Sequence, residues 1–270
     1  MFATFKNFRV LFDFNAFAIF RRPAPPISFP RMFNDSIPEF VYPSTLAIPP
    51  APLSCTPQAI IESDFKELFV PMPLHRETAG STKIVETSLK LKIPIVTFYV
   101  FSTENWKRPK NEINFLFNLI NSYFKKEIQN VMKNNIKINI LGNIKHLPLS
   151  VKKTLKDTIK KTFKNNKLII NLALNYGSKN EIYHAVRKLY DKKLKVSEKL
   201  IAKNLYTKNQ PDPDILIRTG GKKRLSNFML WQLAYAELYF LDKLWPDFTD
   251  IDLKKIIKHF ASTKRNFGSL

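Results

Sequence analysis

Cysteine is all but missing: a single thiol, Cys55, stands in 270 residues. One cysteine makes neither an internal disulfide framework nor a Cys-cluster metal site, and it fits a reducing, cytoplasmic compartment. Histidine is scarce as well. His75, His146, His184 and His259 are scattered, with no His-x-x-x-His pair, which argues against a zinc site. The chain has no Gly-x-x-x-x-Gly-Lys-Ser/Thr loop and no strand–Gly-x-Gly-x-x-Gly–helix, so neither a nucleotide P-loop nor a Rossmann site is expected. Nor is there a zinc finger, basic zipper or RNA-recognition aromatic motif. The Phe-rich first 22 residues are too short to span a bilayer, and Asp13 interrupts their apolar run. They lack the clean apolar core and small-residue cleavage site of a secretory signal. A floppy extension, a short amphipathic anchor and part of a targeting sequence are all open readings.

What is present is length enough for one large α/β domain with a sizeable core, at an ordinary hydrophobic content of 44%. The formal net charge is +22. A basic protein attracts any polyanion, including nucleic acid, anionic lipid and diphosphate. Much of the excess is lysine in asparagine-rich helices, as at Lys152, Lys153, Lys156, Lys160, Lys161 and Lys164. Both residues have A/T-rich codons, so a solvated basic surface, helped by contact with anionic membrane, accounts for it without nucleic acid. A basic polyanion-binding protein remains the remote alternative.

Composition changes near residue 75. Residues 1–74 hold twelve of the eighteen prolines and six basic against six acidic side chains; the rest of the chain carries the whole +22. That proline density leaves little room for helix or central strand, so 1–74 reads as an irregular or disordered extension and 75–270 as the folded domain.

From Gly80 helix and strand alternate. Residues 84–91 look helical, and Ile95-Val-Thr-Phe-Tyr-Val-Phe101 has the β-branched and aromatic run of a strand buried on both faces. A helix of about twenty residues follows, with Ile113, Leu116, Phe117, Ile120, Phe124, Ile128 and Val131 at spacings of three and four. Strand 136–141, helix 148–164, strand 168–174, helix 179–189, strand 215–217, helix 227–236, strand 238–240 and helix 250–262 complete the pattern. The expected fold is α/β, a mainly parallel central sheet flanked by helices, with ligands beyond the carboxyl ends of the strands.

Two clusters lie at such ends. Ser102-Thr-Glu-Asn-Trp-Lys-Arg-Pro109 offers neutral hydrogen-bonding groups at Ser102, Thr103 and Asn105, an apolar wall at Trp106 and a guanidinium fork at Arg108. Arg108 could equally pair with Glu104 or Glu112 in a plain loop. The second cluster is Arg218-Thr-Gly-Gly-Lys-Lys-Arg-Leu-Ser226. Its glycines would let the backbone approach a ligand, Arg218 and Arg224 supply two forks, Ser226 a hydroxyl, and the following helix N-terminus a set of amides. That is a grip for a diphosphate. Glu237 sits among apolar residues, and a lone buried carboxylate needs a partner, either an arginine or a hard cation such as Mg²⁺.

The stretches Thr97-Phe-Tyr-Val-Phe-Ser-Thr-Glu-Asn-Trp-Lys-Arg-Pro109, Leu174-Asn-Tyr-Gly177, Pro211-Asp-Pro-Asp-Ile-Leu-Ile-Arg-Thr-Gly-Gly221, Arg224-Leu-Ser-Asn-Phe228 and 231–248 resemble cis-prenyltransferases, nearest to the bacterial undecaprenyl diphosphate synthases. The resemblance covers roughly residues 80–268. It implies condensation of isopentenyl diphosphate with an allylic diphosphate such as farnesyl diphosphate, with Mg²⁺, to a cis-polyprenyl diphosphate. It assigns Asn105 to proton removal, with Ser102, Thr103, Glu104, Trp106 and Arg108 around the substrate. A neutral amide is a poor base, so orienting the substrate or relaying the proton through diphosphate is the expected role. Arg218, Arg224, Leu225 and Ser226 match the isopentenyl diphosphate site and Glu237 the magnesium ligand. A homodimer is implied, with Arg265-Asn-Phe-Gly268 as a tail reaching across it, as is peripheral membrane contact through the lipid product. Phe115, Leu116, Phe117, Leu119 and Ile120 are candidate lining for a lipid tunnel, although core packing is the commoner fate of such residues.

The family opens with a strand running into Met-Asp-Gly-Asn-Gly-Arg-Trp, whose Asp holds Mg²⁺ and whose backbone and Arg hold the allylic diphosphate; that motif is absent here, as is the arginine and histidine pair that normally follows it. Counting back from Phe101 puts that Asp near Pro57, where Cys55-Thr-Pro-Gln-Ala-Ile-Ile stands. Asp64 is the nearest carboxylate after an apolar pair but lacks the glycines. His75-Arg76 is a poor match to the pair that follows the motif, and Lys222 replaces a Glu common in its loop. Three readings stay open: a damaged enzyme, a divergent enzyme with its own metal site, and a non-catalytic partner of a complete synthase.

Overall fold

The computed structural model describes residues 9–13 and 74–264. Six strands form one parallel sheet: β1 (Arg9–Asp13), β2 (Ile95–Ser102), β3 (Ile136–Leu141), β4 (Leu168–Tyr176), β5 (Ile215–Arg218) and β6 (Glu237–Phe240), in the order β3-β4-β2-β1-β5-β6. Helices α1 (Leu74–Lys90), α2 (Lys110–Lys133), α3 (Leu149–Thr162), α4 (Ser178–Asp191), α5 (Glu198–Ala202) and α6 (Asp250–Ser262) lie between and after the strands.

Alternation along β2 builds the two layers. Val96 and Phe98 pack with Ile84 of α1, Phe117 of α2, Leu155 of α3 and Ile257 of α6 in one cluster. Tyr99 points the other way, to Tyr176, Leu216, Phe228, Met229 and Leu233. On that second side the Asn171 amide donates to Thr97 Oγ1 at 3.0 Å and exchanges hydrogen bonds with Gln210 at 2.7 and 3.0 Å. These bonds satisfy polar groups that would otherwise be costly to bury. Helix α2 buries Ile113, Phe117, Ile120 and Phe124, one stripe at helical spacing, and starts just after Pro109, which needs no donor there. Thr249 and Asp252 form a reciprocal capping box at the start of α6, which contributes about 1 kcal/mol.

Two expectations are corrected. Residues 9–13, expected to be irregular, form the central strand β1, in register with Ile95–Tyr99 of β2 on one side and with Ile215–Arg218 of β5 on the other. The remainder of 1–73 lies outside the described residues, as does Asp64. The helix expected over 227–236 is a succession of turns. Ser226, Asn227 and Met229 have φ of 47°, 63° and 44°, left-handed values that a right-handed helix cannot accommodate. The segment buries Phe228, Met229 and Leu233 instead. The tunnel candidates do not share a face: Phe117 and Ile120 are core, while Phe115 is 58% exposed.

Candidate active site

The connection after β1 leads to β2 on one side, whereas β5 leads to β6 on the other, so the chain changes direction between β1 and β5. Crevices form at the carboxyl ends of such neighbouring strands. Asp13 ends β1 there, in register with Arg218 of β5 and Tyr99 of β2.

Arg218 is buried, and its Nη1 donates to the Arg224 carbonyl and, at 3.0 Å, to Ser226 Oγ. The loop is thus wrapped around its own first arginine, while the Arg224 side chain is exposed and Leu225 packs on the second cluster. The glycines serve a different purpose from the one expected. Gly220 and Gly221, at φ 85° and 67°, point their amides at the carbonyls of Lys243 and Leu241 at 2.8 and 2.9 Å. They fold the loop onto the segment following β6, and those two amides are not available to a ligand. With no helix after Ser226, helix-terminal amides do not contribute either.

Residues Thr103–Lys107 form a 3₁₀ helix after β2. Asn105 is buried and its Oδ1 accepts the Ser102 N–H at 2.8 Å. That spends the acceptor end of the amide inside the loop, leaving its N–H groups to donate, which suits orienting a ligand and not removing a proton. Trp106 donates Nε1 to Asn175 Oδ1 at 2.8 Å and packs edge-on to Phe101. Thr103 donates to Glu104 Oε2 at 3.1 Å, and Asn227 Nδ2 to Glu104 Oε1 at 2.8 Å. Burial acts to raise the Glu104 carboxyl, but hydrogen bonds from Asn227, its own backbone, Thr103 and Ser102 outweigh it and hold the pKa below the ordinary value. Burial lowers the pKa of Arg108, with Glu112 opposing.

Asn105, the 103–107 turn, Asn227 and the 218–226 loop are therefore brought to one end of the sheet. Glu237 is not: it opens β6 opposite Ile215, whereas Arg218 faces Phe240 at the strand's other end. Among the described residues no three His, Cys, Asp or Glu side chains group to hold a metal ion, and no helix is long and apolar enough to cross a membrane.

Sequence reasoning passed over several supports of this site. Gly177 lies where a Cβ would come within 2.5 Å of Thr103 Oγ1 and 2.7 Å of Asn227 Nδ2. Glu181, buried at 3% exposure, accepts from the Tyr176 hydroxyl at 2.5 Å, the Tyr206 N–H at 2.7 Å and the Gln232 amide at 3.2 Å. It ties α4 to both neighbouring loops, and burial, reinforced by the Glu181 carboxylate, raises the pKa of Tyr176 well above the ordinary value. Asp13 had a local signal: Val10-Leu-Phe-Asp13-Phe-Asn15 is an apolar strand running into Asp-x-Asn, the spacing of Met-Asp-Gly-Asn without its glycines.

Residues 74–268 match the prenyltransferase family model described as "Putative undecaprenyl diphosphate synthase". An isoprenyl transferase of Rickettsia bellii is 45% identical over 198 residues, covering 72% of this chain and 87% of that protein. Among solved structures, a probable undecaprenyl diphosphate synthase from Campylobacter jejuni superimposes with a TM-score of 0.68 at 36% identity, over 72% of this chain and 92% of that one. Lavandulyl diphosphate synthase from Lavandula x intermedia, solved with dimethylallyl diphosphate, gives 0.69 at 28% identity over 72% and 87%.

Proposed function

Because the chain belongs to the undecaprenyl diphosphate synthase family of prenyltransferases, we propose that it condenses isopentenyl diphosphate with an allylic diphosphate of the farnesyl type. The allylic C–O bond breaks and diphosphate leaves. The isopentenyl double bond forms the new C–C bond, and loss of a proton leaves a cis double bond in a polyprenyl diphosphate. The observation that carries this reading is the buried Arg218 at the carboxyl end of β5, set beside Ser226 and next to the strand end at Asp13.

In this reading Arg218, Arg224 and Ser226 hold the isopentenyl diphosphate: guanidinium and hydroxyl donors match its oxygens, and the exposed Arg224 closes over it. Asn105 donates its amide N–H groups to the substrate and orients the carbon that loses the proton. The proton leaves toward diphosphate oxygen, since a neutral amide is a poor base and the Asn105 Oδ1 already accepts the Ser102 N–H. Trp106 and Arg108 wall the allylic substrate.

The donor set fits Mg²⁺ held by one protein carboxylate together with substrate phosphates, an arrangement this hard cation favours. Asp13 is the carboxylate whose strand register supports that role, and Glu237 of the same chain lies at the far end of β6. When bound, the cation would supply neutralisation of the departing diphosphate. A homodimer is part of the proposal. β6 is the outer strand of the sheet, and Leu238 and Tyr235 are 44% and 70% exposed beside it, apolar surface that a second copy would cover.

The test is purified protein with Mg²⁺, farnesyl diphosphate and labelled isopentenyl diphosphate. Polyprenyl product is expected, and it disappears in Arg218→Ala, Asn105→Ala and Asp13→Asn. Binding of isopentenyl diphosphate without product favours a non-catalytic partner of a complete synthase, a reading supported by the missing glycines after Asp13. Tight, salt-sensitive RNA binding with neither substrate bound would turn the assignment to a polyanion binder.

A further inference from the structure

Asn227 engages both ends of its side-chain amide and its backbone carbonyl, each with a different neighbour. Its Nδ2 donates to Glu104 Oε1 at 2.8 Å, across 123 residues of sequence. Its Oδ1 accepts the Lys179 N–H at 2.8 Å, and its carbonyl accepts the Ser178 N–H at 2.8 Å, both in the first turn of α4. One residue therefore joins the turn after β2, the start of the helix after β4, and the loop after β5. Gly177 marks the crossing, since a Cβ there would meet Thr103 and Asn227 together.

The chemistry requires asparagine. The φ of 63° favours Gly, Asn or Asp. Only asparagine of the three brings both a donor and an acceptor on its side chain. Aspartate would keep the backbone conformation and the bond from Lys179 but turn an oxygen toward Glu104. Alanine would lose both bonds.

Resting on the prenyl-transfer reading, we infer that Asn227 is a positioning residue: it fastens the turn carrying Asn105 to the loop carrying Arg218 and Ser226, fixing the distance between the isopentenyl diphosphate grip and the group that orients the departing proton. Its bond to Glu104 joins the two segments directly, above the strands that also connect them.

Hydrogen–deuterium exchange on the full chain tests this without substrate. In Asn227→Asp, exchange in the peptide covering residues 102–108 rises about tenfold, the effect of losing one charge-assisted hydrogen bond, while α4 stays protected. Adding Glu104→Gln reverses the polarity of the pair, amide facing carboxylate again, and restores protection to within about threefold of the starting chain. In turnover, Asn227→Asp lowers kcat about tenfold and leaves KM for isopentenyl diphosphate within about threefold. Unchanged exchange in Asn227→Asp, no recovery in the double variant, or a rise spread across α4 and β5 would each overturn the inference. An unsubstituted chain that makes no product refutes prenyl transfer; the exchange comparison then decides the fastening separately.

Discussion

The turn after β2 and the loop after β5 share one end of the sheet but are held by different means. Residues Thr103–Lys107 are fixed by side chains: Asn105 to Ser102, Trp106 to Asn175, Glu104 to Asn227. The 218–226 loop is fixed mainly by backbone, through Gly220 and Gly221 in left-handed conformations bonded to Lys243 and Leu241, and through the carbonyl that Arg218 grasps. A side-chain-held turn can be loosened one bond at a time and adjusts to a ligand by degrees. A backbone-held loop keeps its shape until a φ angle or its anchoring arginine is changed, then fails as a unit.

The largest effect is expected at that arginine. Arg218→Ala removes both the anchor and the grip, and truncating such a buried, hydrogen-bonded charge costs about 2–5 kcal/mol. We expect kcat/KM for isopentenyl diphosphate to fall by at least about thirtyfold, with Arg224→Ala, on an exposed side chain, well behind. Equal losses in steady-state assays would break the comparison. Next come the glycines. Gly177→Ala forces a methyl to within 2.5 Å of Thr103 and 2.7 Å of Asn227, an overpacking cost of about 1–3 kcal/mol. Gly221→Ala meets only an ordinary 3.4 Å contact with Asp242 but must hold φ at 67°, for about 1 kcal/mol. Urea unfolding should rank them in that order.

Trp106→Phe keeps the packing on Phe101 but loses the bond to Asn175. About 1 kcal/mol is expected, confined to the turn, and visible as local exchange without loss of global stability. The smallest effect is with pH. Glu104 titrates below its ordinary 4.5, so its contribution is fully present above that pH and is lost as pH falls through the lowered value. Exchange in the 102–108 peptide should rise over that acid range, and Glu104→Gln should flatten the rise.

Much of the fold was legible because its signals are local. The buried run of β2, the strand β3, the stripe of α2 and the helix α6 follow from hydrophobic period within a few residues of one another. The 227–236 segment misled for the same reason. Its apolar spacing imitates a helix, but the pocket formed by Tyr99, Tyr176 and Leu216 takes up Phe228 and Met229 only if the backbone turns through positive φ, a tertiary demand that overrides spacing. Within the site, Asn105, Arg218 and Ser226 could be chosen from their motifs. The roles of Gly177 and Asn227 could not, although both stood inside recognisable stretches, because each is defined by a contact with a distant segment. Glu237 shows the converse: its residue type could be read from the sequence, but only strand register showed that it opens β6 opposite Ile215 while Arg218 faces Phe240 at the other end.

The sequence by itself determined the alternation of helix and strand, the two loop chemistries and the family they belong to, since periodicity and motif are written residue by residue along the chain. Only the tertiary structure decided that β1 lies inside the sheet, with Asp13 in register beside Arg218, and that the 218–226 loop is tied to the Asn105 turn through Asn227. Both depend on parallel pairing and side-chain contact between segments far apart in the chain. A five-residue strand in a short Phe-rich segment has too little local preference to announce its place; partners on both sides supply it.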